Sequence, residues 1–440
     1  MPSTVVPNDA RLARDLGTWS ATAVVIGTII GSSIFRLPGP VAREAGSAGA
    51  IGALWVLGGA IALAGALSLA ELAAAFPRTG GIYVFLRETY GRWAAFLFGW
   101  SMLVINPAAY AFVAMVFAES LASVVPALAG AERGIAAGSL IVLVAINIRP
   151  VRVGAVILNA TTWAKVAVLL ALSLAAIAAA FASGEAASQA SEPAPWNWPR
   201  LGVGLILVMG AYDGWQWVPQ LAGEMQQPSR SLPRALGFGV GVVIAVYLIA
   251  NLANLVVLPA GALSESTLVT VDVASRLLGG GAAAFVAVLI MVSTFSGNHA
   301  GMMADPRVFF AMAEDGLFFR AVAAVHPRHR TPHVAVALLG AGAVAYLFIR
   351  TVEELVGTLI LGMWPFLALS VAAVIIQRRR QPALARPFRV PLYPYVPIFF
   401  LLACAGIFAN ALREQPRLTL INFAILLAGL PIYWLWRRRV

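Results

Sequence analysis

Apolar runs of about 20 residues recur along the whole chain, separated by short polar loops. The hydrocarbon core of a bilayer is about 30 Å thick, and a helix that rises 1.5 Å per residue needs about 20 residues to cross it. The pattern therefore predicts an all-α membrane protein with twelve transmembrane helices. They cover residues 18–45, 49–76, 92–122, 131–148, 151–182, 199–222, 235–259, 282–313, 333–350, 353–376, 390–411 and 418–436.

Composition and charge support the same class. Of the 440 residues, 60% are hydrophobic and 11% are charged, whereas roughly a quarter are charged in a soluble domain. The net charge of +11 comes from cations in short loops, not from one face of a soluble domain, so no nucleic-acid partner is expected. With a cytoplasmic N-terminus, 20 arginines fall on the inner side and eight on the outer side. This asymmetry predicts a multi-pass protein of the plasma or inner membrane with both termini in the cytoplasm.

Two of the predicted spans contain residues that interrupt a helix. The first holds Gly31-Ser32-Ser33, followed by a Pro-Gly-Pro sequence at 38–40, and the sixth holds residues 210–215 with Pro219 downstream. Glycine, serine and proline are poor helix formers. Non-helical backbone at membrane depth survives only where it lines a cavity or is buried in protein. The breaks predict a cavity, with glycine-mediated helix packing as the alternative.

The positions of the two breaks indicate an internal repeat. Spans 1 and 6 are equivalent if one transmembrane domain contains two five-span repeats, at about 18–182 and 199–376, plus two extra helices at about 390–436. An odd number of spans in each repeat makes the repeats inverted. Paired broken helices then indicate a substrate site near the bilayer midplane.

An interrupted helix leaves amide and carbonyl groups unpaired, and its half-helix ends carry partial charges. Amides after the first break suit a carboxylate, and carbonyls before each break suit an ammonium group. These amides belong to Gly31, Ser32 and Ser33, and these carbonyls to Ile29, Ile30, Met209 and Gly210. A cavity that binds both groups is an α-amino-acid site, although a sulfate or a sugar acid could use the same donors.

Three side chains near the predicted cavity could carry further chemistry. Lys165 is the only lysine and lies in mid-span, where a charge is a functional hypothesis by default. It can be a fixed cation in place of sodium, a proton carrier, or a lysine that snorkels to an interface. Asp213 can meet a cationic substrate or cap the second half-helix. Trp215 can line the cavity or pack between helices.

Other classes of function find little support in the composition. Cys404 is the single cysteine, so neither a cofactor nor a Cys-based metal site is expected. Three of the four histidines share one arginine-rich loop and are interpreted as a solvated cluster, with zinc binding as the alternative. The acidic residues inside the spans are scattered, which argues against a membrane-embedded enzyme. A solute sensor without flux remains as an alternative to a transporter.

Four segments resemble the amino acid–polyamine–organocation superfamily, and within it the L-amino acid transporter branch. They are residues 25–35, residues 70–83, residues 211–215 with Glu224 and Pro228, and residues 293–298 with Arg307 and Asp315-Gly316. The resemblance implies the inverted-repeat fold of the bacterial leucine transporter. It also implies that the last two spans lie outside the repeats and can form an oligomer contact, as in a homodimer.

The same resemblance implies roles for individual residues. The substrate carboxylate would lie on the amides of Ser32, Ser33 and Ile34. The amino group would lie near the carbonyls of Ile29, Ile30, Met209 and Tyr212. Lys165 would stand where relatives place sodium, with Gly27, Ser293 and Thr294 as neighbours. Sodium-independent transport follows as an implication.

Two departures from the family pattern affect the prediction. The usual Gly-Ser-Gly of the first break reads Gly31-Ser32-Ser33, which adds a side chain beside the carboxylate site and favours small substrates. No cysteine lies in an outer loop to link a heavy subunit, so no such partner is expected. We predict sodium-independent transport of L-amino acids, with exchange of neutral amino acids as the first hypothesis. A proton-coupled carrier of amino acids, amines or polyamines that uses Asp213 is the alternative.

Overall fold

A computed structural model of the protein describes residues 12–184, 197–266, 268–349, 359–414 and 416–437. Within these ranges the chain is helical, and its one β-type pairing is an isolated bridge between Leu16 and Met225. The predicted all-α class is confirmed for this part of the chain. The first residues of the tenth predicted span, 353–358, lie outside the described residues.

The helices alternate between long apolar rods and short connecting pieces. Up to the second break they are α1 (Thr18–Ile29), α2 (Ser33–Arg36), α3 (Pro38–Ala45), α4 (Ala48–Ala75), α5 (Ile82–Tyr90), α6 (Arg92–Val124), α7 (Glu132–Ile148), α8 (Val151–Ser183) and α9 (Trp198–Ala211). After it they are α10 (Pro228–Val257), α11 (Ala260–Glu265), α12 (Val269–Leu278), α13 (Ala282–Ala304), α14 (Pro306–Glu314), α15 (His333–Ile349), α16 (Leu359–Arg380), α17 (Tyr395–Glu414) and α18 (Pro416–Arg437). Trp215–Glu224 forms a 3-10 helix.

Seven segments of the described chain are long and apolar enough to cross a membrane. They are Thr18–Arg36, Ala48–Ala75, Arg92–Val124, Val151–Ser183, Pro228–Val257, Val269–Glu314 and Tyr395–Glu414. Shorter apolar helices cover His333–Ile349 and Asn422–Trp436. These segments are those of a multi-pass membrane protein, and the count of twelve spans stays a prediction.

The helices differ from the predicted spans at three places: one begins earlier, one predicted loop contains a helix, and one span is divided. The seventh predicted span begins at Pro228 instead of residue 235, because proline is well tolerated in the first turn of a helix. The loop predicted between the second and third spans contains α5. The eighth span is divided at Asp305, where Pro306 starts α14.

Glycines allow α4 to pack closely against the second break. A Cβ atom on Gly58 would lie 2.4 Å from the Cγ1 atom of Val208 in α9. One on Gly65 would lie 2.5 Å from ring atoms of both Trp215 and Phe400. Small residues are the usual means of bringing membrane helices into close contact. The second break is therefore held in a tightly packed setting by α4 and α17.

Candidate functional site

The first break separates α1 from α2. Helix α1 ends at Ile29, and regular backbone resumes at Ser33. In the described part of the chain, no protein acceptor is found for the amides of Ser32, Ser33 and Ile34. Buried backbone donors are nearly always paired, so three unbonded amides in succession form a cluster of donors that suits an anion. The structure thus leaves free the predicted amides of Ser32, Ser33 and Ile34, whereas the Gly31 amide, which was also predicted for the carboxylate, donates to the Ile29 carbonyl at 2.9 Å.

The second break separates α9 from the 3-10 helix. Gly214 has φ of 122°, a conformation that strongly favours glycine. The amide of Gly214 donates to Gln216 Oε1 at 3.0 Å, and Gln216 Nε2 donates to Asp213 Oδ1 at 2.9 Å. Asp213 therefore contacts the Gln216 side chain, and the expected cap of the second half-helix is not formed by its carboxylate.

Acceptors remain at the end of α9. In the described residues, no protein donor is found for the carbonyls of Met209, Gly210 and Tyr212. The carbonyl end of a helix carries partial negative charge, which favours a cation. These three carbonyls are a candidate position for an ammonium group. Of the two alternatives for Trp215, lining the cavity or packing between helices, the structure shows packing: its ring contacts Phe400 at a centroid distance of 6.1 Å.

The two breaks face each other. A Cβ atom on Gly214 would lie only 2.8 Å from the carbonyl carbon and oxygen of Thr28. The Tyr247 hydroxyl lies 3.0 Å from the Ile29 carbonyl oxygen and 3.1 Å from that of Ala211. Tyr247 of α10 therefore bridges the carbonyl ends of both half-helices. The carbonyl ends of the two interrupted helices are therefore neighbours at the crossing of α1 and the second break.

Lys165 lies against the first break and is fully buried. Its Nζ atom donates to the Gly27 carbonyl at 3.1 Å and to the Ile30 carbonyl at 2.5 Å. The Ser293 hydroxyl lies 3.2 Å from the Ile30 carbonyl oxygen and 3.1 Å from that of Gly31. The structure therefore brings together Lys165 and two of its three predicted neighbours, Gly27 and Ser293. The Thr294 hydroxyl instead bonds to carbonyls of its own helix.

Two residues at this site were missed by sequence reasoning. A Cβ atom on Gly27 would lie 2.8 Å from Thr162 Oγ1, so the glycine is what lets α8 approach α1 closely enough for Lys165 to reach the break. Thr162 Oγ1 donates to the Ala23 carbonyl at 3.3 Å. Thr162 lies one turn before Lys165 on the same helix face, and this spacing in the sequence is enough to indicate that Thr162 also faces α1. Tyr247 carried no such signal, because it is one aromatic residue in an apolar helix.

A buried ion pair lies where the 3-10 helix ends at Glu224, and we call this region the Glu224 end of the site. Arg307 donates from Nε to one Glu224 carboxylate oxygen at 2.5 Å and from Nη2 to the other at 2.8 Å, and both side chains are almost fully buried. The Leu16 amide donates to the Glu224 carbonyl at 3.0 Å, and the Gln226 amide donates to the Leu16 carbonyl at the same distance. The segment before α1, the end of the 3-10 helix and α14 are thereby joined.

A second polar contact joins α5 to the end of α14. The Tyr83 hydroxyl donates to the Asp315 carboxylate at 2.7 Å, and Arg87 pairs with the same carboxylate. Burial, together with this hydrogen bond, raises the pKa of the Tyr83 hydroxyl above its usual value. Arg92 donates to the Asp315 carbonyl at 2.8 Å. Among the described residues, no cluster of His, Cys, Asp and Glu suited to a metal ion is found.

The comparisons with known proteins agree with this architecture. A sequence profile of the amino acid permease family matches residues 16–434. The chain belongs to the amino acid permease family. The permease is 31% identical over 437 residues to the serine/threonine exchanger SteT of Bacillus subtilis (strain 168), with 98% of each chain covered. It is 29% identical to the human cystine/glutamate transporter, over 97% of the permease and 86% of that protein.

A third relative, the human large neutral amino acids transporter small subunit 2, is 30% identical over 96% of the permease and 80% of its own length. Family membership confirms the resemblance found in the sequence motifs. It also shows that the permease is a multi-pass membrane transporter of amino acids and not an enzyme.

Proposed function

We propose that the permease is a sodium-independent exchanger of neutral L-amino acids, which works by alternating access around the two breaks. The observation that carries the proposal is that the first break has unbonded amides and the second has unbonded carbonyls, and that the two breaks meet at Gly214 and Tyr247. A zwitterion carries both complementary charges on one carbon atom. The relatives named as a serine/threonine exchanger and as transporters of other amino acids support the same substrate class.

In this proposal the substrate carboxylate binds the amides of Ser32, Ser33 and Ile34. The ammonium group binds the carbonyls of the second break, which belong to Met209, Gly210 and Tyr212. The carbonyls of Ile29 and Ile30, which the sequence suggested for the ammonium group, already accept bonds from Tyr247 and Lys165. The Ile29 carbonyl also accepts from the Gly31 amide and the Ile30 carbonyl from the Ser293 hydroxyl, so both lone pairs of each oxygen are engaged. We therefore assign the ammonium group to the second break.

Independence from sodium is supported by the position of Lys165. Its ammonium group takes two carbonyl oxygens of the first break, Gly27 and Ile30, which are the hard oxygen ligands that a sodium ion would need. Two cations at this point would repel each other strongly in a buried setting. The lysine therefore serves as a built-in cation, and exchange needs no sodium gradient.

Preference for neutral substrates is supported by the engagement of Asp213 with Gln216. The alternative is a proton-coupled carrier of amino acids, amines or polyamines in which Asp213 meets the cation. Inhibition of uptake by an amine that lacks a carboxylate would favour that alternative, and Asp213→Asn would then abolish binding.

We propose the remaining architecture on the same basis. The permease has twelve spans, with inverted repeats at about 18–182 and 199–376, and both termini are cytoplasmic. The helices at about 390–436 lie outside the repeats and can form a homodimer contact. No heavy-chain subunit is needed. Under this orientation the Glu224 end of the site faces the cytoplasm.

The decisive test is uptake into proteoliposomes. Labelled alanine, leucine and arginine are added to vesicles that contain either unlabelled amino acid or none, in sodium buffer and in potassium buffer. We expect rapid uptake of a neutral amino acid only into loaded vesicles, at equal rates in both buffers. Equal uptake into empty vesicles would contradict exchange, and a requirement for sodium would contradict the proposed role of Lys165.

A further inference from the structure

Asp305 is a buried carboxylate near the second break for which the described part of the chain supplies no counter-ion. Asp305 occupies the junction of α13 and α14 and has no exposed surface. Its Oδ2 atom accepts hydrogen bonds from Asn106 Nδ2 and from the Tyr110 hydroxyl, each at 2.6 Å. Asn106 and Tyr110 lie one turn apart on the same face of α6. Among the described residues, no cationic side chain forms an ion pair with Asp305.

The position of Asp305 invites a purely structural explanation, which the geometry contradicts. An aspartate directly before a proline at the start of a helix usually caps that helix through its carboxylate. Here no such bond to α14 is formed, and the carboxylate turns toward α6. The side chain therefore serves something other than the helix end.

The other carboxylate oxygen is the informative one. Asp305 Oδ1 is buried and has no hydrogen-bond partner among the described residues. The side-chain amide of Gln220, on the 3-10 helix after the second break, interacts electrostatically with Asp305. The nitrogen and the oxygen of this amide are both buried and have no hydrogen-bond partner among the described residues. Three buried polar atoms of these two side chains thus lack a hydrogen-bond partner among the described residues. Such groups are costly in apolar surroundings, and an unpaired carboxylate is the most costly of them.

A proton matches this arrangement better than a metal ion. Oδ2 already accepts two donors, so a proton would bind at Oδ1. The carboxamide of Gln220 can accept from a protonated Oδ1 through its oxygen, or donate to a charged Oδ1 through its nitrogen. A metal ion would need several oxygen ligands, whereas Gln220 also presents a donor here, as do Asn106 and Tyr110.

The 3-10 helix runs from the substrate region to this position. At its start Gln216 contacts Asp213, and further along it Gln220 acts on Asp305. Titratable groups on the elements that pack at the junction include Tyr110, Lys165, Asp213, Glu224, His299 and Arg307. Arg307 is paired with Glu224, His299 with Gly154 and Asn147, and Lys165 with the first break, so none of these neutralises Asp305.

We propose that Asp305 is a proton-binding residue that couples one proton to transport. Oδ1 takes a proton from water that enters through the opposite, open end of the site and forms an O–H bond while the Glu224 end is closed. It returns that proton to water when the 3-10 helix moves away and hydrates the carboxylate, because water stabilises the charged form. The inference rests on the proposed transport function and adds a coupled proton to it.

Infrared spectroscopy of the purified permease tests the site without any need for transport. A buried, protonated carboxylic acid gives a C=O stretching band that a carboxylate lacks. We expect such a band to appear on acidification of the wild type, to be lost in Asp305→Asn, and to persist in Glu132→Gln, which changes an exposed carboxylate. A band that survives unchanged in Asp305→Asn would overturn the proposal.

The transport arm uses alanine exchange in proteoliposomes across a series of pH values. We expect the wild-type rate to change by up to about tenfold per pH unit within the titration, the limit for one proton, and Asp305→Asn to lose this dependence. If Asp305→Asn does not fold, Tyr110→Phe removes one donor to the charged form and should move the profile toward higher pH. An unchanged profile in whichever variant folds would overturn the proposal. Absence of exchange by the wild type at every pH would instead overturn the proposed function, and the infrared band would still decide the proton site.

Discussion

The permease buries two cations in different ways. Arg307 is held by the Glu224 carboxylate through two nearly parallel hydrogen bonds. Lys165 is held by backbone carbonyls of the first break, with no carboxylate in the contact. The planar guanidinium fits the carboxylate fork, whereas the ammonium group is a point charge that suits converging carbonyl oxygens.

The comparison distinguishes a fixed structural contact, the Arg307–Glu224 pair, from a contact that can change during transport, the one made by Lys165. The Arg307–Glu224 pair is neutral as a unit and joins elements that are far apart in the chain, so loss of one partner strands a buried charge. The carbonyls that hold Lys165 are available only because the helix is broken there. A change in the break would change the lysine contacts, which is the property expected of a residue that takes part in transport.

The largest effect is expected from Arg307→Met. This variant leaves the Glu224 carboxylate buried and unpaired, which should lower the free energy of unfolding by about 3–5 kcal/mol. Thermal unfolding of the purified permease measures the change. The control is Arg200→Met, whose pair with Glu44 is exposed and contributes about 0–1 kcal/mol. The double variant Arg307→Met/Glu224→Gln should regain part of the loss. Equal melting points for the two single variants would show that the buried pair stabilises the fold no more than the exposed pair does.

Lys165→Ala should leave the permease folded and reduce exchange by tenfold or more. The two hydrogen bonds from the ammonium group are charge-assisted, and each contributes about 1.5–3 kcal/mol to the arrangement of the break. Uptake of labelled alanine into loaded vesicles, with size-exclusion chromatography as the folding control, measures both properties. Exchange at the wild-type rate would return Lys165 to a structural role and remove the contrast with Arg307.

Gly27→Ala tests whether the approach of α8 to α1 holds the lysine contact together. The new methyl group would lie 2.8 Å from Thr162 Oγ1 and 3.0 Å from Leu158 Cδ1, and such overpacking costs about 1–3 kcal/mol. Gly31→Ala is the matched control, because no atom lies within 4 Å of the new methyl group there. We expect a lower melting point for the first variant only. Equal destabilisation would mean that the close approach has no special cost.

The smallest effect is expected from Tyr247→Phe. It removes one hydroxyl that bridges the Ile29 and Ala211 carbonyls, a change of about 1 kcal/mol. Tyr346→Phe is the control, since its hydroxyl bonds to the Val104 carbonyl away from the breaks. Both variants should lose similar stability, but only Tyr247→Phe should alter exchange. Altered exchange in both would indicate a general effect of stability on transport.

Much of the candidate site could be predicted because its signals are local. Glycine and serine at 31–33 mark an interrupted helix wherever they occur in an apolar run, and the structure breaks α1 there. A lysine in mid-span is conspicuous for the same reason, and it lies against that break. The functional roles of these residues stay predictions.

The residues that sequence reasoning missed are those whose importance depends on a partner far away in the chain. Tyr247 matters because two half-helix ends meet at its hydroxyl, and Asp305 because α6 supplies both of its donors. Arg307 and Glu224 were noted only as parts of motifs, and nothing in either motif indicates that they pair with each other. No local pattern encodes such distances.

By itself the sequence determined that the protein is helical and lies in a membrane, and where its helices are interrupted. Backbone hydrogen bonding in lipid allows few alternatives, so apolar length and helix-breaking residues were sufficient. Only the tertiary structure decided which interrupted segments, buried cations and carboxylates face one another. Those pairings depend on how helices cross, and crossings are set by close packing of side chains from segments that are remote in the sequence.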